Sequence, residues 1–214
     1  MQTDLSSQPY NEILSAVQYL DFKEKLSKYN CSRCGLSENR SHIVVDRGND
    51  KTSLLVIGEA PGEQEDLQGN AFVGKAGKML DKIMASIGLD TNNDMLIVNV
   101  VKCRPPQNRA PSRDEAKACL DYLKKQIVLV NPSYIVLLGA TALRHFLTGK
   151  KHFSMKLEAG KTFQIPEFPN INFMVFYHPA YLLYDPRKKT QMWEHVKNLA
   201  KHLGIEEHLI EQRF

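Results

Sequence analysis

Four unevenly spaced cysteines are the residues of this 214-residue chain that point most clearly to chemistry. Cys31 and Cys34 form a Cys-x-x-Cys turn, and Cys103 and Cys119 follow much farther along the chain. Two disulfides would need an oxidising compartment, of which the sequence gives no sign, and four unrelated buried thiols would not explain the turn. Four thiolates suit Zn²⁺ or an iron–sulfur cluster. Because zinc sites usually combine Cys-x-x-Cys with a second close pair, the spacing favours a [4Fe–4S] cluster.

A glycine-bounded acidic loop, residues 58–66, is the second candidate for chemistry. It contains Glu59, Ala60, Glu65 and Asp66. The loop lacks the Lys and Ser/Thr of a phosphate-binding P-loop, which argues against binding of a nucleoside triphosphate. Its carboxylates could stabilise a developing cation or orient a water molecule. The alternative is an exposed turn whose acids lie at a helix N-terminus.

An aromatic ring and an amide follow in two separate segments. Phe72 lies among small residues in the segment 69–77, where it is either a core residue or a stacking platform for a planar ring. Asn99 ends an apolar run. Its amide offers a donor and an acceptor side by side, which matches an imide edge such as that of uracil. The alternative is an Asn that caps the next loop.

The segment after His178 combines an imidazole with Tyr181, Leu182 and Leu183. His178 is either a structural histidine or a functional one. Leu182 and Leu183 either pack on the last helix or form a wedge that fills a gap in a base stack.

The net charge of +4 and the pI near 8.8 are weak indications of a polyanionic partner. The positions of the basic residues are a stronger indication of such a partner. Arg104 and Arg109 lie in a proline-rich loop, and Arg187 follows the segment after His178. A solvated basic surface is the alternative. With 43% hydrophobic residues, no apolar run long enough for a membrane and no signal-peptide pattern, the chain is expected to be intracellular and cytoplasmic.

The pattern of hydrophobic residues alternates between strands and helices. It predicts an α/β fold of three layers, α/β/α, around a central and mainly parallel four-stranded sheet. A segment with an N-terminal helix, residues 1–29, is expected to pack on a single domain, residues 30–214. The expected strands are 53–57, 95–101, 134–138 and 172–177, and the expected helices include 75–87, 112–127, 141–147 and 187–203, with a hairpin or an excursion at 149–170.

The carboxyl ends of parallel strands are where such folds bind ligands. Gly58, Asn99 and His178 all fall at or just beyond expected strand ends. We therefore expect these separate segments to meet in one site.

Taken together, the motifs resemble the iron–sulfur uracil-DNA glycosylases, the family-4 branch of the uracil-DNA glycosylase superfamily. The similarity covers about residues 30–203. It is carried by the Cys-x-x-Cys turn, Gly-Glu-Ala-Pro-Gly with its following Glu-Asp, Phe-Val-Gly-Lys-Ala-Gly, Asn-Val-Val-Lys-Cys-Arg-Pro-Pro and His-Pro-Ala-Tyr-Leu-Leu, in that order.

This resemblance implies an enzyme that flips uracil out of single- or double-stranded DNA and hydrolyses its N-glycosidic bond, leaving an abasic site. It implies a structural [4Fe–4S] cluster, a monomer and no membrane; a replication clamp has no support in the sequence. The implied roles are catalysis by Glu59 and His178, uracil binding by Ala60, Glu65, Phe72 and Asn99, DNA contacts by Tyr181, Leu182 and Leu183, and cluster ligation by Cys31, Cys34, Cys103 and Cys119. From their positions in the sequence, Arg104, Arg109 and Arg187 are expected to contact the DNA as well.

Two features depart from that family pattern. Ala71 stands where many relatives have Pro, which is expected to loosen the floor of the pocket slightly. The loop after the third cysteine lacks the His of a related branch that becomes covalently trapped on DNA, so we expect turnover. The competing interpretations are a non-catalytic iron–sulfur module that binds nucleic acid and a zinc-stapled hydrolase of small nucleosides.

Overall fold

A single sheet forms the centre of the computed structural model, which describes residues 8–146, 154–211 and 214. Its strands are β1 Arg47–Gly48, β2 Leu54–Gly58, β3 Leu96–Asn99, β4 Tyr134–Leu138, β5 Thr162–Ile165 and β6 Phe168–Phe176. Their order across the sheet is β1-β3-β2-β4-β6-β5. The inner pairs β3–β2, β2–β4 and β4–β6 are parallel, and the edge strands β1 and β5 are antiparallel to their neighbours.

Helices cover both faces of the sheet. Their bounds are α1 Gln8–Leu14, α2 Tyr19–Lys28, α3 Glu63–Gln68, α4 Lys75–Ala85, α5 Arg113–Val130, α6 Gly139–Phe146, α7 Met155–Glu158, α8 Pro179–Tyr184 and α9 Lys188–His202. Apolar residues of α1, α2, α5 and α6 share one core cluster with one face of the sheet. Residues of α4, α8 and α9 pack in a second cluster on the other face. This arrangement confirms the three-layer α/β/α prediction.

The pleat of β2 explains how one strand serves both layers. Leu55 and Ile57 point into one cluster, and Leu54 and Val56 point into the other. All four side chains are buried because neighbouring strands and helices cover both faces. A continuous apolar run of this kind is typical of an inner parallel strand.

The expected count of four strands is wrong, because the described residues form six. The four expected strands are the parallel inner ones, and the two that were missed lie at the edges. β1 has only two residues, Arg47 and Gly48, and β5 alternates exposed with half-buried positions. Short or half-exposed strands carry little of the hydrophobic signal on which a sequence prediction depends.

Helix α5 is the clearest case of local sequence fixing an element. Ser112 caps its N-terminus by accepting a hydrogen bond from the Glu115 backbone N–H, and the Glu115 carboxylate accepts from the Ser112 N–H, as the capping-box pattern predicts. The helix continues to Val130, and Asn131 ends it in a left-handed conformation with φ of 47°.

The segment expected to form a hairpin or an excursion lies partly outside the described residues. Leu147, the expected end of the helix at 141–147, and residues 149–153 of the expected 149–170 segment belong to that part. The described remainder contains α7, β5 and the beginning of β6, and β5 pairs with β6 as an antiparallel hairpin.

The N-terminal helices belong to the core rather than to its periphery. Ile13 of α1 and Tyr19, Phe22 and Leu26 of α2 are all buried in the cluster on the α5 face. Over the described part of the chain, every helix is too short or too polar to cross a membrane.

Candidate active site

A cavity of about 560 Å³ lies at the carboxyl edge of the parallel strands. Several predicted site residues line it: Glu59, Ala60, Glu65, Phe72, Arg109, His178 and Tyr181. Glu59 directly follows β2, and His178 lies two residues beyond β6. The structure therefore brings together segments that are more than a hundred residues apart in sequence.

Asn99 ends β3 with an amide that has no partner. The residue is 1% exposed, and within the described residues neither Oδ1 nor Nδ2 makes a hydrogen bond. Leaving a buried polar group unpaired costs roughly 1–3 kcal/mol, so native proteins retain few such groups. The amide is therefore suited to a ligand that presents one donor and one acceptor.

Gly58 makes room for this amide and for the ring of Phe72. A Cβ atom at residue 58 would lie 2.5 Å from the Phe72 ring and 2.6 Å from Asn99 Oδ1. Only glycine allows the three residues to meet at this distance. The glycine at the end of β2 thus places an aromatic face beside an amide edge.

The backbone of Phe72 has an unusual conformation. Its φ of 54° is in the left-handed region, which is uncommon for a bulky residue. Its carbonyl packs so closely against Gly77 that a Cβ there would lie 1.7 Å from the oxygen, and the Arg47 guanidinium donates to the same carbonyl. Strained backbone of this kind concentrates at functional sites.

Glu65 and Asp66 brace the pocket loops instead of pointing freely into the cavity. Glu65 Oε1 accepts from the backbone N–H groups of Val73 at 2.8 Å and Gly74 at 2.7 Å, and its Oε2 accepts from Gly62 N–H at 3.0 Å. Asp66 accepts from the Ser41 N–H at 2.9 Å. The acidic loop is therefore tied to the segment that carries Phe72.

His178 presents a hydrogen-bond donor toward the cavity. Its Nδ1 accepts from the Ala180 N–H at 3.2 Å as α8 begins, which leaves the proton of a neutral ring on Nε2. Burial lowers the pKa of His178 below its ordinary value, and nearby Glu59 and Glu65 offset part of that shift. The ring lies 5.8 Å from the Phe72 ring, centroid to centroid. A neutral imidazole that donates through Nε2 follows from these contacts.

Glu59 is half-buried at the start of the acidic loop. The Thr141 hydroxyl donates to its Oε2. No local motif in the sequence marks Thr141, because the contact joins residues 82 positions apart.

Helix α8 forms the rim of the cavity and separates its three predicted DNA-contact residues. Tyr181 is 40% exposed and Leu183 is 46% exposed, but Leu182 is 0% exposed and packs in the core. The expectation that Leu182 is available as a wedge is wrong for this conformation, because a six-residue helix turns it inward. Tyr184, which the sequence analysis did not select, is 87% exposed beside them.

The three predicted DNA-contact arginines all have acidic partners. Arg109 lies against Glu115 at 2.6 Å, and this contact with Arg109 lowers the pKa of Glu115 to about 2. Arg187 lies 2.7 Å from Asp185 and is otherwise exposed. In addition, Arg104 lies 3.5 Å from Glu63. Their charges are thus partly neutralised within the protein.

All four cysteines are free thiols that lie within electrostatic reach of one another. Burial, together with the neighbouring thiols of Cys119, Cys31 and Cys34, raises the pKa of Cys103 to about 12. Burial likewise raises the pKa of Cys119 to about 11. Among the described residues, no group of three Cys, His, Asp or Glu side chains is arranged around a single metal ion. A set of four thiols fits either Zn²⁺ or an iron–sulfur cluster.

Two residues that the sequence analysis missed lie beside these thiols. Arg40 Nη1 is 2.7 Å from the Cys31 carbonyl and 3.8 Å from Cys103 Sγ. Tyr122 Oη is 3.8 Å from Cys31 Sγ. Groups that hydrogen-bond to ligand sulfurs orient them and tune the bound centre.

Comparison with known proteins agrees with this geometry. The uracil DNA glycosylase superfamily model matches residues 45–199. The chain is 36% identical over 178 residues to the type-4 uracil-DNA glycosylase of Archaeoglobus fulgidus, covering 82% of this chain and 89% of that protein. It is 42% identical over 153 residues to the type-4 enzyme of Thermotoga maritima, covering 72% and 78%.

A third relative extends the match along more of the chain. The type-4 uracil-DNA glycosylase of Sulfurisphaera tokodaii is 37% identical over 189 residues, which covers 85% of each chain. The resemblance inferred from the motifs is confirmed by these matches, and the chain belongs to the uracil DNA glycosylase superfamily.

Proposed function

We propose that the cavity binds uracil extruded from DNA and that the chain hydrolyses its N-glycosidic bond, leaving an abasic site. The observation that carries this proposal is the buried, unpaired amide of Asn99 beside the Phe72 ring and the Nε2–H of His178. A planar ring with adjacent donor and acceptor atoms would satisfy all three groups. The type-4 names of the relatives support the same activity.

Asn99 would discriminate uracil from cytosine. Its amide accepts from uracil N3–H and donates to O4, whereas cytosine reverses the donor and the acceptor on that edge. A site built around a specific hydrogen-bond pair rejects the wrong ligand strongly, because the buried polar groups are then left unpaired.

His178 and Glu59 would stabilise the two charges that form as the bond breaks. The C1′–N1 bond lengthens, the sugar becomes cationic and the uracil becomes an anion. His178 donates to uracil O2 through Nε2–H, where one well-placed donor is worth roughly 3 kcal/mol. A water oxygen then bonds to C1′, Glu59 accepts its proton, and solvent protonates the uracil anion. No covalent bond to the protein is required, so the step is that of a monofunctional glycosylase.

The rim of the cavity would hold the DNA from which the base is extruded. Uracil in a duplex is out of reach of the pocket, so the nucleotide must rotate out or be supplied in a single strand. Tyr181 and Leu183 of α8 are exposed next to the pocket, and Arg104, Arg109 and Arg187 would contact phosphates. We propose that the chain acts as a monomer in the cytoplasm.

Cys31, Cys34, Cys103 and Cys119 would hold a [4Fe–4S] cluster. Burial and the neighbouring thiols raise the pKa of Cys34, Cys103 and Cys119, and all four cysteines are free of disulfides. When bound, the cluster would supply a structural tie between chain segments. Arg40, which contacts both Cys31 and Cys103, would offset the negative charge of the thiolates.

The test is uracil release from a single-stranded oligonucleotide and from a U·G duplex, comparing the wild type with His178→Ala. Free uracil and alkali-labile sites are expected from the wild type. His178→Ala is expected to release uracil about 10²-fold more slowly in single turnover. If brown, cluster-loaded wild-type protein released no uracil, the activity would be excluded and a non-catalytic DNA-binding module would be favoured.

A further inference from the structure

The corner between β4 and α6, residues 139–141, contacts both side chains proposed to act in catalysis. Gly139 has φ of +84°, and a Cβ atom there would lie 3.1 Å from His178 Cβ. Two residues later, the Thr141 hydroxyl donates to Glu59 Oε2. The corner therefore lies close to His178 through Gly139 and is hydrogen-bonded to the Glu59 carboxylate through Thr141.

The contact with Thr141 leaves the two carboxylate oxygens of Glu59 in different environments. Oε2 is occupied by the Thr141 hydroxyl, whereas Oε1 has no hydrogen bond to any residue that the structure describes. Glu59 lines the cavity. A free glutamate side chain samples several rotamers, and anchoring one oxygen restricts that freedom. The unanchored oxygen is then the one available to a water molecule in the cavity.

Thr141 is well placed for this task because its backbone belongs to a helix. It lies in the first turn of α6, whose next residues Ala142 and Leu143 are buried in the core. A hydroxyl in a helix often bonds back to its own backbone, but here it reaches across to a different segment of the chain. A side chain on a helix or a strand positions its partner more accurately than a side chain on a loop.

We propose that Thr141 is a positioning residue, whose hydroxyl holds the Glu59 carboxylate in the orientation that accepts the proton of the attacking water. This inference rests on the proposed function, because it takes Glu59 as the group that activates the water. Misplacing a reacting group by about 1 Å can cost about 10²-fold in rate. The loss of one hydrogen bond to a residue that stays nearby is expected to cost less.

The experiment compares Thr141→Val, which keeps the shape and removes the hydroxyl, with Thr141→Ser, which keeps the hydroxyl. Single-turnover uracil release and the Kd for uracil-containing DNA are measured separately. Thr141→Val is expected to slow release about tenfold with Kd within about twofold of the wild type. Thr141→Ser is expected to release uracil within about threefold of the wild-type rate. Merely structural damage would not be rescued by the smaller serine.

Thr52→Val is the matched control, because the Thr52 hydroxyl donates to the Asp94 carbonyl at 2.6 Å and Thr52 does not line the cavity. It is expected to keep the wild-type release rate. Equal slowing by Thr52→Val and Thr141→Val would overturn the inference, because the loss of any hydroxyl would then have the same effect.

A double-mutant cycle with Glu59→Gln separates this inference from the proposed function. If Thr141 acts through Glu59, adding Thr141→Val to Glu59→Gln slows release by no more than about twofold. A full tenfold loss in that background, or a Thr141→Val rate equal to the wild type, overturns the positioning role while the glycosylase activity stands. If Glu59→Gln itself is fully active, both the role of Glu59 and that of Thr141 are overturned. Absence of release by the wild type overturns the proposed function.

Discussion

In the proposed function, recognition of the base depends on the Asn99 amide, and a buried lysine holds the backbone of that residue. The carbonyl of Asn99 accepts from the Lys102 ammonium at 2.7 Å, and Lys102 also donates to Gln126 on α5. Lys102 is 1% exposed, and burial lowers its pKa to about 8. The two hydrogen bonds of the buried Lys102 ammonium fix the end of β3. The side-chain amide of Asn99 has no hydrogen bond among the described residues and can bind the ligand.

Replacing Asn99 with Asp tests whether its amide recognises the hydrogen-bonding edge of the base. An ionised carboxylate only accepts hydrogen bonds, so Asn99→Asp loses the donor for uracil O4 and repels that oxygen. We expect uracil release to fall by about 10²-fold or more, and the preference for uracil over cytosine to shrink or invert. The measurement is single-turnover release from otherwise identical U- and C-containing strands.

Asn93→Asp provides the control for that experiment, because Asn93 is exposed and does not line the cavity. It is expected to behave as the wild type. An unchanged preference for uracil in Asn99→Asp would remove Asn99 from base recognition.

At the scale of elements, two adjacent leucines of α8 lie in different environments. Leu182 lies in the core with Met192 and Val196 of α9, and Leu183 faces solvent at the rim. The six-residue helix that His178 caps imposes this division, since successive side chains point about 100° apart. Tyr181, Leu183 and Tyr184 are therefore the exposed large side chains of α8, while Leu182 anchors the helix that follows His178.

Two alanine substitutions distinguish the anchor from the rim. Leu182→Ala is expected to destabilise the protein by about 2–5 kcal/mol, because it leaves a cavity in the core. Leu183→Ala is expected to change stability by no more than about 0.5 kcal/mol. It should slow release from a U·G duplex more than from a single strand, because a wedge matters only where a base must be extruded. Equal slowing on both substrates would argue against a wedge at Leu183.

The sequence predicted the parts of this site that local chemistry determines. Gly58, Asn99 and His178 were expected to meet because each ends or follows an apolar run. In the structure Gly58 lies against Asn99 and Phe72, and Phe72 lines the cavity together with His178. The sequence left open whether Leu182 packs on the last helix, and no motif marked the contact between Thr141 and Glu59, since both depend on how distant elements pack. Ala71, expected to loosen the pocket floor, has an N–H that proline lacks, and this N–H donates to the Asp46 carbonyl at 3.2 Å.

At the scale of the whole molecule, the C-terminal end of β3 connects the cysteines with the pocket. Cys103 follows Asn99 by four residues, and Cys119 is on α5 together with Gln126, the partner of Lys102. Gln126 also donates to Tyr19 of α2 at 2.9 Å. A cluster bound by the four thiols would thus join α5, the turn after α2 and the segment beyond β3 on one face of the sheet. The α4 and α9 face has no cysteine.

Removal of the cluster is therefore expected to loosen one face of the molecule and not the other. In hydrogen exchange, anaerobically stripped protein should exchange residues 99–104 and the first half of α5 at least about tenfold faster than loaded protein. Helix α4, which packs through Leu80 and Ile83 on the opposite face, is the internal control and should keep its protection.

The pattern of exchange decides between two roles for the cluster. Faster exchange confined to the cysteine-bearing segments means that the cluster ties them together locally, and loss of uracil release would then follow from a mobile Asn99. Uniformly faster exchange in α4 and α5 would mean that the cluster supports the whole fold. Unchanged exchange throughout would contradict a structural role, because four ligands drawn from three chain segments cannot be released without freeing those segments.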